Sequence, residues 1–274
     1  MAITAADVSK LRKLTGAGMM DCKKALTEAD GDFDKAVESI RKKGMAVANK
    51  RADREASEGV ALAKVTADAK KGALVVLNCE TDFVAKNDSF VALAQSILDL
   101  GLQKGVTTLE ELNELELDGN PVKDVITEQI GVIGEKLELA YFDIIEAEKV
   151  VAYIHPGNKL ATIVGFNKSD VDDQMAKDVA MQVAAMNPVS VDRDSVPQDV
   201  LDKELEIGRD MARNEGKPEE MLDKIAQGRL GKFLKENTLL EQAFVKDNKM
   251  SIKQYLQSAD KDLTVTEFRR YSLT

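Results

Sequence analysis

The stretch VALAKVTADAKKGALVVLNC, residues 60–79, decides the fold class of this chain. Residues 60–65 and 74–79 carry apolar side chains at a period of two, and a polar turn through Asp68 and Gly72 separates them. Successive side chains of a strand point to opposite faces, so this pattern predicts a pair of strands. A polar loop follows, and then a helical pattern with its buried side at Phe90, Leu93, Ala94, Ile97 and Leu98.

The same order of elements occurs a second time. Residues 137–145, 150–154 and 160–166 predict strands, with a turn at His155-Pro156-Gly157-Asn158, and residues 171–186 predict a helix. A hairpin followed by a helix therefore starts once at Val60 and again at Val150. The sequence predicts an α+β protein with two related subdomains, each an antiparallel sheet with helices on one face.

Residues 1–45 predict three short helices joined by glycine turns. Thr4 and Asp7 form a capping-box pattern, Gly16-Ala17-Gly18 ends the first helix, and Gly31 ends the second. A unit of this size has a small core, so we expect an appendage of modest stability. The predicted inward residues are Val8, Leu11 and Leu14, then Cys22, Ala25 and Leu26, then Phe33, Ala36, Val37 and Ile40.

Residues 197–236 predict a protruding helical hairpin, in which two antiparallel helices meet along a thin seam. The seam residues are Leu201, Leu205, Gly208 and Ala212 on one helix and Leu222, Ile225, Ala226 and Phe233 on the other. More helix is expected over 107–135 and 252–257, and a last strand over 263–271. The predicted organisation is a three-helix domain at 1–45, a partly helical linker at 46–59, a first subdomain at 60–136, a second at 137–196 and 237–274, and the inserted hairpin.

The composition argues against several classes of function. The net charge of −10 disfavours nucleic acid as the main ligand, because phosphate binding needs clustered Lys and Arg. A local basic patch at residues 42–54 is either a solvated linker or a binding site. The chain has neither a Walker loop nor a GxGxxG cradle, and its single histidine rules out a His-rich metal site. We therefore predict no cofactor, no metal site and no nucleic-acid ligand.

The cysteines and the N-terminal residues indicate the cellular compartment of the protein. Cys22 and Cys79 match no zinc or redox spacing, so we expect core thiols of a reducing compartment, although spacing alone leaves a disulfide open. The start of the chain lacks the basic and apolar regions of a signal peptide, and no apolar run reaches the ~18 residues of a membrane span. These features predict a cytoplasmic protein.

Three places carry side chains suited to binding. Thr81-Asp82-Phe83-Val84 puts a large aromatic residue in a polar loop, where Phe83 either folds back into the core or contacts a partner. His155 lies in a turn, where it is either idle in solvent or functional. Met19 and Met20 are adjacent and cannot both face one small core. At least one is expected to be exposed and suited to adaptable protein contacts.

Two of these places lie in segments that resemble the signatures of the elongation factor Ts family. The segments are TGAGMMDCKKAL, residues 15–26, and NCETDFVAKN, residues 78–87. They match in order and separation. The similarity extends through Tyr153-Ile154-His155 and Gly228-Arg229-Leu230 to the last strand, and so covers nearly the whole chain.

The resemblance implies a guanine-nucleotide exchange factor for elongation factor Tu. Such a factor binds Tu with GDP, displaces Mg²⁺ and promotes GDP release so that GTP can rebind, with no covalent chemistry of its own. The first three helices resemble a ubiquitin-associated-like domain, with Leu11, Met19 and Met20 at contact positions. Thr81, Asp82, Phe83 and Val84 match the segment that displaces Mg²⁺ from Tu, and His155 matches a contact of the second subdomain. The hairpin matches a coiled-coil insertion.

Other interpretations remain open at this point. A translation-associated adaptor without exchange activity fits the small N-terminal domain and the hairpin equally well. An enzyme that uses His155 is a third interpretation, although no Ser or Cys pairs with this histidine by motif. The residues also leave open whether the core or the hairpin forms a homodimer.

Overall fold

The computed structural model describes residues 3–273, so Met1, Ala2 and Thr274 of the predicted first and last domains lie outside the described residues. The first three helices, here called the N-terminal module, are α1 (Ala5–Thr15), α2 (Met19–Glu28) and α3 (Phe33–Arg51). Thr4 and Asp7 form the predicted capping box. Because α3 runs to Arg51, residues 46–51 of the predicted linker are helical.

The first half of the core is an antiparallel sheet with strand order β1-β2-β5 and helices on one face. The predicted helical region 107–135 is interrupted, because Asp118 and Gly119 adopt positive φ angles of 53° and 85° in a tight turn. The elements are β1 (Glu58–Val65), β2 (Lys71–Cys79), α4 (Asp82–Ala85), α5 (Asp88–Lys104), α6 (Leu109–Glu114), β3 (Glu116–Leu117), β4 (Asn120–Pro121), α7 (Val122–Ile133) and β5 (Leu137–Glu146).

The second half is another antiparallel sheet, of order β10-β7-β6, followed along the chain by helices. Its elements are β6 (Lys149–Ile154), β7 (Leu160–Phe166), α8 (Asp173–Met186), α9 (Gln198–Asn214), α10 (Glu219–Asn237), β8 (Ala243–Phe244), β9 (Asp247–Ser251), α11 (Ile252–Ala259) and β10 (Val265–Ser272). The structure thus confirms the predicted α+β class with two hairpin-then-helix units.

Strand β5 differs from its predicted grouping. The predicted second subdomain began at residue 137, but β5 pairs antiparallel with β2, from Lys71 opposite Glu146 to Cys79 opposite Leu137. The first sheet is complete only with this strand, and its Phe142 and Leu139 cover the same apolar cluster as β2. The subdomain boundary predicted at residue 137 therefore separates β5 from the sheet that it completes.

The two sheets pack face to face, with helices on their outer faces. Ala61 and Ala63 of β1 and Leu74 and Val76 of β2 share one buried cluster with Ile163 of β7. The alternate residues of the same strands pack on α5, which gives four layers in the order helix, sheet, sheet, helix. Both faces of β1 and β2 are thus buried, so the core spans both halves.

Two further predictions about buried residues have clear outcomes. Leu14, predicted to face inward, is 69 % exposed and lines a cleft between the N-terminal module and α7. That prediction was wrong, because the face of α1 that is buried in the module's core carries Val8 and Leu11, whereas Leu14 lies on the side of the cleft. Cys22 and Cys79 are both free and buried, which confirms core thiols and removes the disulfide alternative.

Helices α9 and α10 form the predicted hairpin and pack mainly on each other. They approach closely at Gly208, where an added Cβ would lie 3.1 Å from Cα of Ala226. Ion pairs flank this seam, with 2.6 Å between Arg209 Nε and Asp223 Oδ1. At the base of the hairpin, buried Gln242 donates from Nε2 to the Glu236 carbonyl at 3.1 Å.

Candidate partner-binding site

The most exposed aromatic side chain of the site is Phe83, which lies on the single-turn helix α4. Thr81 caps this turn, since its Oγ1 accepts a hydrogen bond from the Val84 N–H at 3.4 Å. Ala85 is buried beneath the turn, whereas Phe83 is 83 % exposed. The alternative in which Phe83 folds back into the core is therefore wrong.

A carboxylate of the α7–β5 connection holds the start of this turn. Thr81 donates twice to Glu135, from its backbone N–H to Oε2 at 3.0 Å and from Oγ1 to Oε1 at 2.7 Å. A two-point hydrogen bond of this kind fixes both the position and the orientation of Thr81.

The preceding residue, Glu80, accepts hydrogen bonds from the α7–β5 connection and from the end of α3. Its Oε1 accepts from the Lys136 N–H at 2.6 Å and from Arg51 at 2.6 Å, and its Oε2 accepts from Arg54 at 3.2 Å. Burial alone would raise the pKa of Glu80, but these hydrogen bonds and the positive charges outweigh it and lower the pKa. Glu80 is therefore ionised, and its carboxylate links the end of α3 to the turn of residues 82–85, here called the Phe83 turn.

Asp82 is held within the turn itself. Lys86 Nζ donates to Asp82 Oδ2 at 2.6 Å, and this hydrogen bond is the main reason why the pKa of Asp82 is lowered. Lys159, which follows the β6–β7 turn, lowers the same pKa through its charge. The Phe83 turn and the β6–β7 turn therefore lie close enough to interact electrostatically.

The β6–β7 turn carries His155, whose side chain is exposed. Its Nδ1 lies 2.9 Å from the Tyr153 hydroxyl. The turn is fastened to the first sheet, because the Ala61 N–H donates to the Asn158 carbonyl at 2.6 Å and Lys159 pairs with Glu58 at 2.8 Å. Because Glu58 lies opposite Cys79 at the end of β2, the β6–β7 turn reaches the same end of the first sheet as the turn that carries Phe83.

The methionine pair lies on the N-terminal module. Met19 and Met20 start α2 and are 61 % and 74 % exposed, which confirms that at least one is on the surface. Leu11 is fully buried in the module's core, so its side chain is not part of the exposed surface. The two methionines border a groove with Ile3, Thr4, Ala5, Val8, Ser9, Arg12 and Lys23.

The module rests on the core through α3 and α7. Arg41 Nε pairs with Glu128 Oε1 at 2.7 Å, and Arg51 and Arg54 reach Glu80 beside the Phe83 turn. Part of the basic stretch at residues 42–54 thus makes internal ion pairs rather than a free basic surface. The methionines lie on a separate element from Phe83, and α3 connects the two regions.

Sequence reasoning missed the residues that hold the turn. Glu80 lies within the segment 78–87, but nothing in its neighbourhood indicates that Arg51 binds it. Glu135 comes 54 positions after Thr81, and no local pattern connects the two. Lys159 was also missed, although its place next to the His155 turn was visible in the sequence.

The ring of His155 has the Tyr153 hydroxyl as its described partner, and both thiols are buried in the apolar clusters. Across residues 3–273, no three His, Cys, Asp or Glu side chains are grouped so as to hold a metal ion. Over the same residues, no helix combines the length and apolarity needed to cross a bilayer.

The fold and the site together describe an α+β protein with apolar side chains displayed on fixed turns. Comparison with known proteins then identifies the family. The family model described as Elongation factor TS matches residues 80–274. The chain belongs to the elongation factor Ts family, and it is therefore a translation elongation factor.

Curated relatives agree over the full length. The chain is 54 % identical to elongation factor Ts of Christiangramia forsetii over 272 residues, which cover 99 % of this chain and 98 % of the relative. It is 54 % identical to elongation factor Ts of Amoebophilus asiaticus, covering 98 % of each chain. Identity to elongation factor Ts of Porphyromonas gingivalis is 55 % over 276 residues, covering 100 % of this chain and 99 % of the relative.

Proposed function

We propose that this protein is the guanine-nucleotide exchange factor of elongation factor Tu. It binds Tu with GDP, displaces Mg²⁺ and promotes GDP release, so that GTP can rebind during elongation. Membership of the elongation factor Ts family supports this proposal. The observation that carries the mechanism is the 83 % exposure of Phe83 on a turn held by Glu80 and Glu135.

The mechanism follows from thermodynamic linkage. A GTPase holds GDP through backbone N–H groups around the phosphates and through a bridging Mg²⁺. If an exchange factor binds the nucleotide-free GTPase more tightly than the nucleotide-bound GTPase, it must weaken nucleotide binding by the same ratio. Each tenfold loss of nucleotide affinity requires ~1.4 kcal/mol of this coupling. The factor needs no contact with the nucleotide and no cofactor.

The residues take distinct roles in this proposal. Phe83 is the main wedge, seated between elements of Tu near the metal, and Thr81, Asp82 and Val84 form the turn that presents it. His155 is a second wedge on the neighbouring loop. Met19 and Met20 bind the nucleotide-binding domain of Tu, while Leu11 supports that surface from inside the module. The protein catalyses no covalent reaction and acts in the cytoplasm, where Tu works.

Release of a fluorescent GDP from purified Tu tests the proposal. Substoichiometric amounts of this protein should accelerate release with turnover, and Phe83→Ala should reduce the acceleration. Val245→Ala is a matched control, because Val245 is also exposed, at 49 %, but lies in the turn between β8 and β9. Binding to Tu without acceleration would instead support an adaptor.

A further inference from the structure

We propose that Glu80 and Glu135, together called the carboxylate brace, are positioning residues for Phe83. The inference rests on the proposed exchange function and adds residues that act through the Phe83 turn rather than on the partner. It is carried by hydrogen bonds that run in both directions between residues 80–81 and residues 135–136.

The turn depends on the brace because it is too short to be stable alone. Helix α4 has four residues, and an isolated helix of that length does not persist in water. Its orientation therefore depends on the capping residue, Thr81. Both polar groups of Thr81 that face the α7–β5 connection donate to the two oxygens of Glu135.

The hydrogen bonds of the carboxylate brace run both ways between residues 80–81 and residues 135–136. Glu135 receives hydrogen bonds from residue 81, while the next residue, Lys136, donates its N–H to Glu80 at 2.6 Å. The side chain of Glu80 is 13 % exposed, so these bonds are largely shielded from water. Arg51 completes the arrangement and ties it to α3 of the N-terminal module.

A fixed turn avoids a loss of conformational entropy on binding. Ordering a side chain or loop at an interface weakens binding, and this loss is smaller if Phe83 is already oriented before it contacts the partner. The methionine surface is separate from the brace. Loss of the brace should therefore lower the maximal rate of GDP release about threefold to tenfold, with a half-saturating concentration within about twofold of wild type.

The first test compares Glu135→Ala with Glu135→Gln and with Glu138→Ala. A glutamine still accepts from the Thr81 N–H, so it should retain most of the rate, whereas alanine should lose it. Glu138 is a nearby control whose described ion pair is with Lys136 rather than with the turn. An unchanged maximal rate for Glu135→Ala would overturn the inference.

A double variant separates positioning from general stability. In a Phe83→Ala background, Glu135→Ala should have no additional effect on the rate, because the brace acts through Phe83. An equal loss with and without Phe83 would overturn the inference. If Glu135→Ala lowers the unfolding temperature, Glu135→Asp is the replacement, since its shorter side chain draws the carboxylate away from Thr81 and leaves the hydrogen bond from the Val84 N–H to Thr81 Oγ1 in place.

A measurement without Tu keeps this inference distinct from the proposed function. Amide hydrogen exchange at residues 82–85 should be faster in Glu135→Ala than in wild type or Glu138→Ala. Unchanged exchange there would overturn the brace even if GDP release is accelerated by the wild-type protein. Failure of the wild-type protein to accelerate release would overturn the exchange function and leave this measurement as the test of the brace.

Discussion

Gly44 of α3 and Gly131 of α7 bring two helices into backbone contact. A Cβ added at Gly131 would lie 2.4 Å from Cα of Gly44, closer than any real Cβ contact. Neither glycine has a positive φ, so the requirement is space rather than backbone conformation. This crossing and the Arg41–Glu128 ion pair set the orientation of the N-terminal module, and with it the place of Met19 and Met20 relative to Phe83.

Gly131→Ala should therefore loosen the module. Overpacking of this kind usually costs about 1–3 kcal/mol. Proteolysis between residues 52 and 57, just after α3, should become faster. Gly228→Ala in α10 is the control, because an added Cβ meets nothing within 4 Å there and alanine favours a helix. Equal stability of the two variants would contradict the prediction.

Phe83→Ala and His155→Ala should differ in their effect on GDP release. We expect Phe83→Ala to reduce the catalysed rate about tenfold, equivalent to ~1.4 kcal/mol, and His155→Ala to reduce it less. Both side chains are exposed, so thermal unfolding should be unchanged. Stopped-flow release of fluorescent GDP measures the rates, and a larger effect at His155 would reverse the assigned roles.

Gly208→Leu should destabilise the hairpin by about 1–3 kcal/mol, because the added side chain meets Ala226 of the facing helix. The effect should be confined to residues 198–237, since α9 and α10 pack mainly on each other. Hydrogen exchange resolved by segment measures this. Gly231→Leu is the control at an open helical position, and loss of protection in the two sheets would contradict the prediction.

Cys79 should resist alkylation in the folded protein. Burial raises the pKa of its thiol to about 12 from 9.0, and the charge of Glu135 adds to the effect. Below pH 9 the thiolate population is therefore about a thousandfold lower than for an unshifted thiol. Iodoacetamide labelling followed by peptide mass spectrometry should show modification of Cys79 only after unfolding. Rapid labelling of the native protein would contradict this.

Asp178 should contribute stability that is lost in acid. It accepts hydrogen bonds from Lys246 at 2.7 Å, Gln174 at 2.6 Å and the Tyr255 hydroxyl at 3.2 Å. Burial opposes ionisation, but these partners lower the pKa of Asp178 below 3.8.

The stabilisation is therefore present above pH 3.8 and disappears as pH falls through the lowered pKa of the folded state. In urea unfolding near neutral pH, Asp178→Asn should be about 1–3 kcal/mol less stable than wild type. The difference should shrink in acid, and a difference that is independent of pH would contradict the assignment.

Local patterns predicted the elements well, because period-two and helical spacing are properties of short segments. The partner of β5 was not predictable in the same way, since any apolar strand can complete either sheet. The packing of the two sheets was also missed. Residues 60–63 and 73–77 are continuously apolar, as strands buried on both faces are, so a pure period of two was the wrong interpretation. The residues that cover the second face, among them Val150 and Ile163, come from the other half of the chain.

The candidate site was predictable where a side chain was unusual for its surroundings. Phe83 in a polar loop and two adjacent methionines are visible in one sequence. The carboxylate brace and the glycine crossing were not visible, because Glu135 and Gly131 acquire their roles only when α7 is placed beside α3 and β2. Such long-range contacts leave no spacing pattern.

The order of the strands also bears on synthesis of the chain. The first sheet is complete at Glu146, before any strand of the second sheet has been made. As the chain leaves the ribosome, Ala61, Ala63, Leu74 and Val76 therefore present an uncovered apolar face until β6 and β7 emerge. A nascent chain paused after β5 is expected to be the stage at which this protein most needs a chaperone.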